Sequence, residues 1–97
     1  MNMGLFGSGN KNIKISDYFS AEDLAAITEK AQAVRSGGAM LDLLGKGLID
    51  YISNPDKEIS GGRFNKFIKV AESFKSIDPS LYSILQKGIE KFRASGK

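Results

Sequence analysis

Apolar residues recur at helical spacing in four stretches of the chain, and the stretches differ in how widely the apolar surface wraps. The first holds Leu24, Ile27, Ala31 and Val34, a narrow stripe with Ala25, Ala26 and Ala33 lying off it. The second holds Met40, Leu41, Leu44, Leu48, Ile49, Tyr51 and Ile52, which cover more than half of a helix circumference. Only Asp42, Lys46 and Asp50 mark a polar strip there, so this helix is expected to be the most buried. The third stripe is Phe64, Phe67, Ile68, Ala71 and Phe74, and the fourth is Leu81, Tyr82, Ile84, Leu85, Ile89 and Phe92.

Local signals bound these stretches. Ser20-Ala21-Glu22-Asp23 resembles a capping box, and Phe19 with Leu24 is placed to staple the same end. Gly37-Gly38 closes the first helix, because glycine reaches backbone conformations that a Cβ forbids. Asn54-Pro55 stops the second, since the residue before proline avoids the helical region. Asp78-Pro79 opens the fourth with a cap and a proline at the first helical position, and Ile77 with Tyr82 forms a second staple. The prediction is an all-α, compact four-helix bundle with helices at about 20–36, 39–53, 62–77 and 79–94.

Between the second and third helices, residues 54–62 read as an ordered loop with at most one helical turn. Gly45 and Gly47 inside the second helix either permit a close neighbouring backbone or mark a bend. Residues 1–15 are expected to be a flexible Gly/Asn-rich tail, and 16–97 a single helical domain. Asn12 to Ile15 alternates polar and apolar like a short strand, yet no second strand is visible to pair with it. Within the tail, Met3 to Ser8 fits the N-myristoylation pattern if translation starts at Met3, a pattern short enough to arise by chance. The simpler reading is that Leu5 and Phe6 dock on the domain or anchor a partner.

Composition removes much chemistry. The 97 residues include no cysteine and no histidine, which excludes disulfides, thiolate ligands, cysteine nucleophiles and the commonest general base. The glycines at 4, 7 and 9 lack phosphate-loop spacing, and the carboxylates from Asp17 to Glu22 lack calcium-loop spacing. Asp42, Lys46 and Asp50 fall four residues apart and read as a ladder of surface ion pairs. The chain is therefore read as non-enzymatic, with no catalytic residue, no metal and no cofactor. Without a membrane-length apolar run or a secretory leader pattern, the expected location is cytoplasmic.

Charge is uneven. Residues 1–54 carry five Lys/Arg against six Asp/Glu, whereas 55–97 carry nine against five. Arg63, Lys66 and Lys69 share one side of the third helix and are spaced to contact phosphates. The preceding nine-residue loop fits a helix-turn-helix poorly. The favoured expectation is a small protein-binding module of the adaptor, inhibitor or immunity type. Its contact surface is assigned to helix one, to the Leu5/Phe6 tail, or to both, with Leu5, Phe6, Ala26 and Ala33 as candidates beside Leu43 on the polar side of helix two. The alternatives are nucleic-acid binding through Arg63, Lys66 and Lys69, or a homo-oligomer with helix one as the seam.

Overall fold

Three of the four helices start where a side-chain oxygen takes up the free amides of the first turn. In the computed structural model, which describes residues 12–95, Ser20 Oγ accepts from the Asp23 amide at 3.0 Å and begins α1 (Ala21–Val34). A 3-10 turn over Arg35–Gly37 tightens its end, and Gly38 at φ 134° breaks the chain direction. That value lies in a region that side chains with a Cβ rarely enter. α2 (Ala39–Ile52) follows at once, without a side-chain cap. Ser60 Oγ accepts from the Arg63 amide at 3.1 Å to start α3 (Gly61–Glu72), which tightens into a 3-10 turn at Ser73–Lys75. Asp78 accepts from the Ser80 and Leu81 amides at 3.1 and 3.2 Å and opens α4 (Pro79–Ala94).

The helices pack in a ring. α1 lies against α2, α2 against α3, α3 against α4, and α4 returns to α1. This is the four-helix bundle that the apolar stripes predict. Its interior is filled by Phe64, Phe67 and Phe74 of the third stripe, with Leu81, Leu85 and Ile89 of α4, Ile27 and Ala31 of α1, and Leu48 of α2. Phe64 and Phe92 approach to 4.2 Å between ring centroids, and Phe19 meets Phe67 edge-on at 5.9 Å.

The expected flexible tail over 1–15 is corrected at its inner end. Ile13–Lys14 forms β1 and pairs antiparallel with β2 (Glu58–Ile59), Ile13 opposite Ile59 and Lys14 opposite Glu58. The Ser16 amide donates to the Pro55 carbonyl at 2.9 Å, and Ile13, Ile15 and Phe19 are all buried. The segment is ordered because three large apolar side chains gain burial there, each worth about 1.5–3 kcal/mol. Leu5 and Phe6 lie outside the described residues.

The expectation for the second helix is also corrected. α2 buries only Gly45, Leu48 and Ile52, while Met40 and Leu43 are 74% and 69% exposed. The phenylalanines of α3 occupy the interior, so α2 has room for one face only. Its two glycines separate into different roles. A Cβ on Gly45 would stand 2.7 Å from the Ala31 carbonyl oxygen, so Gly45 lets α2 press onto α1. A Cβ on Gly47 would meet nothing within 4 Å.

Candidate protein-contact surface

The outward side of α2 follows from helical geometry. With 100° per residue, Met40, Leu43, Gly47 and Asp50 fall on one stripe at i, i+3, i+7 and i+10, with Ala39 and Lys46 along its edge. Ala39, Met40, Leu43, Lys46 and Asp50 are all exposed. The missing side chain at Gly47 leaves a shallow hollow lined by Leu43, Lys46, Ile49, Asp50 and Ser53. Leu43 borders this hollow, and Met40 stands one turn before Leu43 on the same stripe.

The charges of this helix are arranged differently from the expected ladder. Asp42 pairs across the interhelical turn with Arg35, Nε to Oδ1 at 2.8 Å, and Arg35 also donates to Gln32 at 3.1 Å. Asp42 occupies the first turn of α2, next to the end of α1, so Arg35 is nearer to it than the side chain one turn further on. Among the described residues, neither Lys46 nor Asp50 has an ion-pair partner within 4.0 Å.

The structure places the other sequence-derived contact residues apart from one another in character. Leu43 is exposed as required, Ala33 is exposed, and Ala26 is half-buried. Glu22, Glu29 and Gln32 also reach solvent from α1, so that helix offers a mixed surface rather than an apolar one. Met40 is the residue that the sequence pattern misplaces, because it continues the apolar run of the inward stripe. Its i, i+3 and i+7 relation to Leu43 and Gly47 is the signal that would have found it.

Arg63, Lys66 and Lys69 are exposed along α3 as expected. The Arg63 guanidinium lies over the Tyr51 ring, 4.6 Å from its centroid. Arg63 and Lys57 share a groove with Asp50 and Glu58, and further along α3 Glu72 pairs with Arg93 at 3.7 Å. Acidic groups thus interrupt the basic side at both ends.

Two carboxyls have shifted acidities, and both belong to helix starts. Burial works to raise Asp23, but the Lys87 ammonium at 3.2 Å and the Ser20 cap together hold it below its ordinary value. The Ser80 hydroxyl at 2.8 Å and the Leu81 and Ser80 amides hold Asp78 low against the opposing effect of its burial. Hydrogen bonds to the charged form explain both directions. Among the described residues there is no group of three metal-ligating side chains, and no helix is long and apolar enough to cross a membrane. Comparison of the chain with protein families, with curated proteins and with solved structures gives no match.

Proposed function

We propose that this chain is a small, non-enzymatic protein-binding module whose contact surface is the outer face of α2. The supporting observation is the exposure of Met40 and Leu43 side by side on a helix whose opposite face already fills its place in the core. Single exposed apolar residues are commonplace, but two large ones a turn apart, one of them bordering a hollow, make a patch that favours a partner over water. The reading moves the contact surface from helix one to α2 and keeps Leu43 at its centre.

The test is a double substitution, Met40→Lys with Leu43→Lys, used as bait in extracts of the native host beside the unaltered chain. Both side chains point to solvent, so the helical circular dichroism and melting temperature should stay unchanged. A protein retained by the unaltered chain and lost by the variant is the expected outcome. A host partner held equally by both baits would refute the α2 surface. Binding that weakens steeply with salt and depends on Lys66 and Lys69 would instead favour phosphate contacts by α3.

A further inference from the structure

We infer that the outer face of α2 is self-complementary and that it takes a second copy of this chain, antiparallel about a two-fold axis. The inference rests on the reading of α2 as the contact face and names its occupant. A two-fold contact requires one surface to carry both halves of every interaction. This face does so twice. Leu43 protrudes and the hollow beside Gly47 recedes, with Asp50 and Ser53 on its far side. Lys46 and Asp50 carry opposite charges on the same side of the helix, and among the described residues neither has an ion-pair partner.

One register satisfies both. With the axis between positions 46 and 47, Leu43 of each copy falls about 4.5 Å along the helix from Gly47 of the other, at 1.5 Å rise per residue. Helical side chains lean toward their own N-terminus. In an antiparallel pair that lean carries Leu43 into the hollow between Gly47 and Ser53 of the other copy. Lys46 comes equally close along the axis to Asp50 of the other copy, about 4.5 Å. The two Lys46 side chains lean away from each other and toward those carboxylates. Met40 lies opposite Ser53 and covers the end of the seam. The face carries no net charge, so two copies meet without repulsion there.

A seam of one helix pair is smaller than the roughly 1,200 Å² of lasting complexes, so the dimer is a transient one. Sedimentation velocity from about 10 µM to about 1 mM reads it directly, the range in which small interfaces associate. The unaltered chain should pass from monomer to dimer. Leu43→Lys and Gly47→Gln should stay monomeric while keeping the circular dichroism of the fold, since both positions face open space. Lys46→Glu and Asp50→Lys should each weaken the dimer about fivefold by placing like charges together, and the double exchange should restore it. A chain monomeric throughout, a dimer indifferent to Leu43→Lys, or a double exchange as weak as either single one overturns the proposal. A monomer that still loses its host partner through Met40→Lys with Leu43→Lys removes the second copy but keeps α2 as the docking face. A host partner kept by that variant removes the face itself.

Discussion

α2 and α3 are of similar length, yet they spend their apolar residues in opposite ways. α3 carries three lysine or arginine residues and still hides Phe64, Phe67, Ile68 and Ala71 completely or nearly so. α2 is the more apolar of the two and leaves Met40 and Leu43 in water. The difference lies in angular spread. The apolar positions of α3 fall on one stripe that a single facing core can cover, while those of α2 wrap past what α1 and α3 can reach. Burial follows the width of the stripe, and apolar content beyond that width becomes surface.

The sharpest test of this contrast is truncation on each helix. Phe67→Ala should cost about 3–5 kcal/mol, because it removes a fully buried ring and leaves a cavity. Leu43→Ala should stay within about 0.5 kcal/mol, as expected for a surface position. Chemical denaturation of both variants checks the pair, and equal losses would break the distinction between the helices.

The glycines of α2 sharpen it further. Gly45→Ala should destabilise by about 1–3 kcal/mol, since the new methyl must displace the Ala31 carbonyl or the helix that carries it. Gly47→Ala should stabilise by about 0.5–1 kcal/mol through helix propensity alone. Opposite signs two residues apart, read from thermal melts, would fix which side of α2 faces α1.

A smaller effect is expected at the caps, which frame both helices without distinguishing them. Asp78→Ala should cost about 1 kcal/mol through the loss of two amide bonds at the start of α4. The folded chain holds Asp78 below its ordinary acidity, so its contribution is present above the unfolded value near 3.9 and is lost as pH falls through the lower folded value. Asp78→Asn keeps a capping oxygen and should flatten the acid limb of a stability-against-pH curve. The smallest effect belongs to Lys66→Glu with Lys69→Glu on the solvent side of α3. It should leave stability within about 0.5 kcal/mol, measured by the same melts.

The bundle was legible where chemistry is local. Ser20, Asp78-Pro79 and Gly37-Gly38 each announce a helix end through a bond or a backbone angle that involves only near neighbours. The start of α3 was harder, because Gly61-Gly62 reads as a break and draws attention away from Ser60, which caps the helix through them. Of the β1–β2 pair only the first strand was legible, in the alternation of Asn12 to Ile15. The two residues of β2 carry no periodicity of their own, and Ile59 stands opposite Ile13 across two intervening helices. The contact face was half legible. Leu43 stands off the inward stripe and shows itself, whereas Met40 sits at the margin of that stripe and is told apart only by its i, i+3 relation to Leu43. The Asp42 pairing was misread for a related reason. Sequence spacing sees the lysine one turn along the helix and cannot see Arg35 arriving from the helix before.

The most direct test is a dilution series followed residue by residue with amide NMR. Shifts should grow with concentration and stay confined to Met40, Leu43, Lys46, Gly47, Asp50 and their immediate neighbours. Shifts centred on Arg63, Lys66 and Lys69, or spectra unchanged up to millimolar chain, would contradict pairing of two copies through α2.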